Sequence, residues 1–191
     1  MGATPPASDR PTAPHHRGAF VTAAVIVVAL DQAAKQWALH ALSEREIDLV
    51  GSLRLKLIFN DGAAFSIGGG RTTLIAMLGL VVAAVIVRLG FKAERRLWAV
   101  GLGVILGGAL GNLVDRALRS GGGVLGGHVV DFIDLQWWPV FNVADMALWV
   151  GVGLLAIDAW RDRERDREPA ADPGLASSSG PTPEPTPEPD R

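Results

Sequence analysis

Hydrophobic positions are concentrated in four continuous runs, which cover residues 19–42, 72–91, 97–118 and 140–160 of the 191-residue chain. About 20 helical residues cross the roughly 30 Å of hydrocarbon in a bilayer, and each run reaches that length. The first run continues through Asp31 and Lys35 without an obvious cleavage site, which favours an uncleaved helix over an export signal. The pattern therefore predicts four transmembrane helices.

Two segments between the runs have the alternating pattern of strands. In residues 52–59 the leucines at 53, 55 and 57 alternate with polar residues, and residues 129–135 form a second strand-like segment. Glycines at 68–70, 121–123 and 126–127 indicate chain breaks beside them. We expect these segments to form a small platform at the membrane surface. The predicted fold class is an all-α membrane protein with four transmembrane helices and a small β-rich extracytoplasmic part.

Positive charges predict the orientation of the helices, since Lys and Arg are enriched in cytoplasmic loops. They lie before the first run, in the connection between the second and third runs, and after the fourth run: Arg10, Arg17, Arg88, Lys92, Arg95, Arg96, Arg161, Arg163, Arg165 and Arg167. Both termini are therefore predicted to be cytoplasmic. Residues 1–18 and 161–191 have compositions typical of disordered tails, which leaves 19–160 as the four-helix membrane domain.

Composition excludes several kinds of chemistry. The chain has no cysteine, so thiol catalysis and disulfides are absent, and a net charge of −2 with a pI near 6.1 gives no sign of nucleic-acid binding. No HExxH motif is present for a zinc protease. A serine hydrolase would need a base near Ser66, and His128 without a GxSxG motif is weak support for one. The sequence therefore favours neither a zinc protease nor a serine hydrolase.

The sequence Asn-x-x-Asp occurs in both of the last two apolar runs, at Asn112–Asp115 and Asn142–Asp145. A carboxylate at the bilayer centre costs about 2.5–3.5 kcal/mol on insertion scales, so two of them suggest a site that needs both. Antiparallel helices would place both aspartates about one turn below the outer face, and the four-residue spacing of glycines 103, 107 and 111 permits close helix approach. The pattern predicts a catalytic pair, Asp115 and Asp145, sharing one proton as in aspartic proteases, with each asparagine orienting a carboxylate or binding substrate backbone.

Five blocks in order resemble lipoprotein signal peptidase, also called signal peptidase II, over nearly all of residues 19–160. The blocks are Asp31-Gln-Ala-Ala-Lys35, Asn60-Asp-Gly-Ala-Ala-Phe-Ser66, Gly107-Gly-Ala-Leu-Gly-Asn-Leu-Val-Asp-Arg116, Val129-Val-Asp-Phe132 and Phe141-Asn-Val-Ala-Asp145. We interpret the resemblance as implying the same catalytic pair, Asp115 and Asp145. It also implies cleavage of a bacterial prolipoprotein on the amino side of a diacylglyceryl-modified cysteine, without a metal or organic cofactor. Further implications are a strand-rich cradle outside the membrane, contact with phospholipid and inhibition by globomycin.

Other residues of the blocks have two interpretations each. Asp31 and Lys35 form an internal ion pair or contact substrate and lipid headgroups. Asn60 and Gly62 allow the signal peptide to pass closely or form a tight turn. Arg116 binds lipid phosphate or tunes Asp115, or it only extends to the headgroups.

Three further features of the chain have an interpretation of their own. Asp131 has a supporting role at most, because a strand places Asp131 and Asp134 on opposite faces unless it bends. Trp137 and Trp138 are interpreted as anchors at the membrane interface. The alternative function is a small transporter or channel whose polar residues line a path, although only the Asn-x-x-Asp element repeats.

Overall fold

The computed structural model describes residues 16–61, 71–119 and 125–167. Its helices are α1 (Arg17–Ala41), α2 (Arg71–Gly90), α3 (Arg96–Leu118) and α4 (Val143–Arg167), and its strands are β1 (Ile47–Val50), β2 (Leu53–Asn60) and β3 (Val129–Asp134). Four helices in the described ranges are long and apolar enough to cross a membrane. The fold class predicted from the sequence is confirmed. The described residues up to Asp158 belong to one compact unit, and of the second unit the structure describes the end of α4.

Helix α3 packs against α1 through the predicted glycine stripe. A Cβ atom at Gly107 would lie 2.6 Å from Val27 Cβ and 2.8 Å from the carbonyl oxygen of Ala24, so a side chain there would force the helices apart. A Cβ at Gly111 would lie 2.5 Å from a carboxylate oxygen of Asp31. The stripe therefore brings α1 close to α3. The close helix approach predicted from the glycine spacing is present; the helix that faces the stripe is α1, and a Cβ at Gly111 would also lie 3.4 Å from the Cβ of Ala144 in α4.

A second set of glycines packs α3 against α4. A Cβ at Gly101 would lie 2.8 Å from the Leu155 side chain, and a Cβ at Gly151 of α4 would lie 2.9 Å from the carbonyl oxygen of Gly101. Small residues on two faces let both neighbouring helices approach one central helix, which is how helices pack in lipid. Consistent with this position, half of the hydrophobic span of α3 is buried, against 22% for each other helix.

The three strands form one antiparallel sheet in the order β1–β2–β3. β2 pairs with β3 in the register Leu55↔Ile133 and Asn60↔Val129, with a bulge between Leu55 and Ile58. The two segments predicted as strands are confirmed, whereas the four-residue β1 was not predicted. All residues of β3 except Ile133 are buried, since the strand also contacts α1 and α3. Asp131 and Asp134 are therefore both buried.

The chain leaves β3, forms a loop and returns to the same strand before α4 begins. The amide of Phe141 donates to the carbonyl oxygen of Ile133 at 3.1 Å, and the amide of Ile133 donates to Phe141 at 2.9 Å. These bonds hold both ends of the loop 135–140 and place Asn142 next to β3. Residues 140–142 of the fourth apolar run are consequently outside the helix.

Candidate active site

Buried polar side chains gather where α1, α3 and the start of α4 meet β3. Asp31, Lys35, Asp115, Asp131 and Asn142 are each exposed by 2% or less. Ionised groups removed from water are strongly destabilising unless partners compensate them. The contacts of each carboxylate therefore indicate its function in the cluster.

Asp115 accepts hydrogen bonds on both carboxylate oxygens. Oδ1 accepts from Arg119 Nε at 2.8 Å and from Gln32 Nε2 at 3.3 Å. Oδ2 lies 2.9 Å from Lys35 Nζ and accepts the backbone amide of Val130 at 3.1 Å. Two cations and two neutral donors thus surround a fully buried group. Asp115 is held as a carboxylate that joins α1, α3 and β3.

Lys35 connects the two carboxylates of α1 and α3. Its Nζ lies 2.8 Å from Asp31 Oδ2 and donates to Asn112 Oδ1 at 2.8 Å, in addition to its contact with Asp115. The ion pair predicted between Asp31 and Lys35 is present. Asp31 Oδ1 also accepts the amide of Ala144 at 2.9 Å, so the pair fixes the first turn of α4.

Asn142 and Asp145 form a reciprocal cap at the start of α4. The backbone amide of Asp145 donates to Asn142 Oδ1 at 3.0 Å, and the backbone amide of Asn142 donates to Asp145 Oδ2 at 3.2 Å. This is the arrangement of a capping box, with Asp in place of the usual Glu or Gln. Asp145 Oδ1 accepts a hydrogen bond from Asn112 Nδ2 at 3.0 Å. The cap holds Asp145 with neutral donors while leaving it partly exposed.

Asp131 is connected to Asp145 by a single residue, Asn142. Asn142 Nδ2 donates to Asp131 Oδ1 at 2.6 Å, and Asn60 Nδ2 donates to Oδ2 at 2.8 Å. Burial raises the pKa of Asp131 to about 6; the negative charge of Asp145 also raises it, whereas the hydrogen bonds from Asn60 and Asn142 lower it. A neighbouring carboxylate that disfavours ionisation is the feature that a proton-sharing pair requires.

The structure thus relates the three aspartates differently from the sequence prediction. One residue, Asn142, forms hydrogen bonds with both Asp131 and Asp145. The contacts that connect Asp115 to Asp145 pass through two residues in series, Lys35 and Asn112. Asp131, which we expected to have a supporting role at most, contacts the cap residue of α4. Its position in the Val129–Phe132 block was the available sequence signal.

The remaining predicted residues are placed as follows. Asn60 binds Asp131, as described, and Gly62 lies outside the described residues. Arg116 is buried and donates to the carbonyl oxygen of Gly127 at 3.2 Å, so its side chain is directed into the protein. Sequence reasoning missed two further donors to Asp115, Gln32 and Arg119. Gln32 lies within a recognised block, but Arg119 lies outside all five blocks.

A cavity of about 700 Å³ opens beside Asp145. Its lining is otherwise apolar and aromatic, formed by the loop before α4 and one face of that helix: Leu135, Trp137, Trp138, Pro139, Val140, Phe141, Met146, Leu148, Trp149 and Val152. Trp137 and Trp138, predicted to be interface anchors, are exposed at this opening. A carboxylate at the wall of an apolar cavity can act on a polar group of an otherwise apolar ligand.

A bundle of four membrane helices with a sheet at one end and clustered carboxylates at their junction has the architecture of an integral membrane enzyme. A solved structure described as "Bacterial membrane enzyme structure by the in meso method at 2.3 A resolution" is similar with a TM-score of 0.67 and 28% identity, covering 83% of this chain and 97% of the other. A second, described in the same words at 1.9 Å, has a TM-score of 0.64 and covers 78% and 96%.

Sequence comparison identifies the family. The model for signal peptidase (SPase) II matches residues 23–161. The lipoprotein signal peptidase of Rhodococcus jostii (strain RHA1) is 42% identical over 158 residues, covering 82% of this chain and 78% of the relative, and that of Mycobacterium avium (strain 104) is 42% identical, covering 82% and 85%. The chain belongs to the signal peptidase II family. Membership indicates a protease, and the four helices indicate a multi-pass protein of a bacterial membrane.

Proposed function

We propose that this protein is an intramembrane aspartyl endopeptidase that removes signal peptides from lipid-modified prolipoproteins, with Asp131 and Asp145 as its catalytic pair. The observation that carries the proposal is the bridge formed by Asn142, which binds Asp131 through its side chain and Asp145 through its backbone amide, beside an apolar cavity. Two carboxyl groups that share a proton supply the acid and the base of amide hydrolysis.

The proposal replaces Asp115 of the predicted pair by Asp131. Asp115 is fully buried and contacts two cationic side chains, which favours a permanently ionised group with a structural role. Among the residues that the structure describes, the hydrogen-bond donors to Asp131 are the side-chain amides of Asn60 and Asn142. The pKa of Asp131 is raised to about 6, which suits a group that gains and loses a proton.

The proposed chemistry requires one protonated and one ionised carboxyl group. The ionised group removes a proton from a water molecule, which attacks the scissile carbonyl carbon. The protonated group donates its proton to the carbonyl oxygen as the tetrahedral intermediate forms. As the intermediate collapses and the C–N bond breaks, the leaving amine takes the proton that the first carboxyl group removed from water. The hydroxyl group on the same carbon returns its proton to the second carboxyl group as the carbonyl re-forms. Asn60, Asn112 and Asn142 hold the two carboxyl groups during this exchange.

The proposed substrate is a prolipoprotein whose cysteine carries a diacylglyceryl group, cleaved on the amino side of that cysteine. The relatives' name, lipoprotein signal peptidase, supports this class, and the apolar cavity beside Asp145 suits a ligand with acyl chains. We further propose cytoplasmic termini, a site near the extracytoplasmic face, contact with phospholipid and inhibition by globomycin. The tails 1–18 and 161–191 remain predictions, since most of their residues lie outside the described ranges.

The test uses the purified full chain in detergent with a lipidated precursor peptide. Asp131→Asn and Asp145→Asn should each lower kcat by about 10²- to 10⁴-fold, because each removes one partner of proton transfer. The matched control is Asp158→Asn, a buried carboxylate of α4 that pairs with Arg95 at 2.9 Å near the other end of the helix. Mass spectrometry should find the lipidated cysteine at the product's amino terminus. Full cleavage by either active-site variant would refute the proposed pair.

The alternative, a transporter or channel, is supported by the buried charges of α1 and α3. Reconstitution of the wild type in vesicles separates the two functions. Ion flux without precursor cleavage would favour the alternative, whereas cleavage without flux would exclude it.

A further inference from the structure

The charges in direct ion pairs with Asp115 and Asp31 sum to zero when Arg119 is included. Asp31 and Asp115 contribute two negative charges, and Lys35, at 2.8 and 2.9 Å from them, contributes one positive charge. Arg119 Nε lies 2.8 Å from Asp115 Oδ1 and supplies the second positive charge. Without it the buried triad would have a net charge of −1, which is strongly unfavourable in a site of low dielectric constant.

Arg119 acts at the point where α3 is joined to β3. Gly127 packs against the end of α3, where the carbonyl oxygens of Asp115, Arg116 and Arg119 leave no space for a Cβ atom. The amide of Gly127 donates to the carbonyl oxygen of Arg116 at 3.1 Å. The chain thus returns tightly over the end of α3. The other oxygen of Asp115 then accepts the amide of Val130, the residue before Asp131. The carboxylate of Asp115 therefore forms the ion pair with Arg119 and also accepts the hydrogen bond from β3.

We propose that Arg119 is a positioning residue for the catalytic pair: by neutralising Asp115 it keeps the carboxylate ionised and bonded to the Val130 amide, which fixes Asp131 beside Asn142 and Asp145. The inference rests on the proposed function. Arg119 needs no contact with substrate for this role, since it acts through Asp115 and β3.

Charged groups from every neighbouring element act on Asp131. Lys35 of α1 lowers the proton affinity of Asp131, Asp145 of α4 raises it, and Arg116 of α3 interacts with it electrostatically. Asn60 of β2 contributes a neutral donor. Removing Arg119 leaves Asp115 with Lys35 as its cationic contact, which Asp115 shares with Asp31, so the group gains one net negative charge. The site then holds its protons more tightly, so the acid limb of the pH–activity profile must move to higher pH.

The experiment measures kcat and KM against pH for Arg119→Gln, which keeps a polar side chain and removes the charge. We expect its acid limb to move upward by about 0.5–1 pH unit, and kcat to fall more than KM changes. Arg119→Lys should restore the pH profile, because it restores the charge. The matched control is Arg45→Gln: Arg45 also makes an Nε contact four residues back near a helix end, but to the carbonyl oxygen of Ala41. Arg45→Gln should leave the profile unchanged.

Two further measurements keep the test decisive. In Arg119→Gln the amides of Val129–Asp134 should exchange hydrogen faster than in the wild type, which can be read even if turnover is low. In an Asp115→Asn background, Arg119→Gln should add no further shift, because the charge to be neutralised is gone. A profile of Arg119→Gln that superimposes on that of Arg45→Gln would overturn the inference while wild-type cleavage still supported the proposed function. Absence of wild-type cleavage would instead refute the proposed function.

Discussion

Asn112–Asp115 and Asn142–Asp145 have the same spacing but lie at opposite ends of their helices, and this difference separates their roles. In α3 the motif lies in the last turns, where Asp115 reaches the cations of Lys35 and Arg119 and an amide of β3. In α4 the motif spans the first turn, where Asn142 and Asp145 cap each other with neutral groups. Asp115 is fixed by ion pairs with cationic side chains, whereas Asp145 is held by hydrogen bonds from amides beside an open cavity.

The comparison shows that a repeated motif does not imply a repeated function. The environment of a carboxylate is set by the helix end at which it lies and by the elements packed there. A group surrounded by cations stays ionised, whereas one held by amides can exchange a proton. The following predictions test this contrast.

The largest expected effect distinguishes the two motif aspartates in catalysis. Asp145→Asn should lower kcat by about 10²- to 10⁴-fold. Asp115→Asn keeps one acceptor oxygen and leaves Asp31 paired with Lys35, so we expect its kcat to stay at least 10-fold above that of Asp145→Asn. Single-turnover cleavage of the lipidated precursor measures both variants. If Asp115→Asn were inactive and Asp131→Asn fully active, the originally predicted pair would be reinstated.

The second-largest expected effect is on stability, and it concerns Lys35, the cation between Asp31 and Asp115. Lys35→Met leaves two buried carboxylates without their shared partner, and we expect it to reduce stability by about 3–5 kcal/mol. Thermal unfolding in detergent measures the loss. The control is Lys56→Met, which removes the solvent-exposed pair with Glu46 at 2.7 Å and should leave the melting temperature nearly unchanged. Equal melting temperatures for the two variants would contradict a structural role for the buried cation.

A third effect is the pH dependence of stability caused by Asp131. The pKa of Asp131 is raised from 3.8 to about 6 in the folded protein, so its favourable contribution is complete below pH 4 and is lost as pH rises through about 6. The wild type should therefore lose stability relative to Asp131→Asn between pH 4 and pH 7.5, by about 3 kcal/mol at most. Melting curves at both pH values check the sign, and a pH-independent difference would argue against the raised pKa.

The smallest effect separates the two functions of Asn142. Asn142→Ser keeps an oxygen that can cap α4 but removes the Nδ2 amide that donates to Asp131, and its shorter side chain places the hydroxyl group farther from Asp131; Asn142→Ala removes both groups. We expect the alanine variant to be less stable than the serine variant by about 1 kcal/mol. Both should reduce cleavage to a similar extent, since both break the bridge between the carboxyl groups. Cleavage by the serine variant at the wild-type rate would remove Asn142 from the site.

The helices and two of the strands could be predicted because membrane-spanning length and side-chain alternation are local properties of the sequence. β1 was missed because a four-residue, mostly exposed edge strand has little pattern. The proximity of Asp131 to Asp145 could not be derived, since it depends on the return of Phe141 to Ile133 and on burial of both faces of β3. Arg119 gave no signal because its role depends on the net charge of side chains from other helices.

The hydrogen bonds between Phe141 and Ile133 also decouple the conformation of the loop 135–140 from the start of α4. Since both ends of this six-residue loop are fastened to β3, changes in its length or in its tryptophans need not displace the start of α4. Substitutions in this loop can therefore reshape the wall of the cavity while the acidic residues behind it keep their positions.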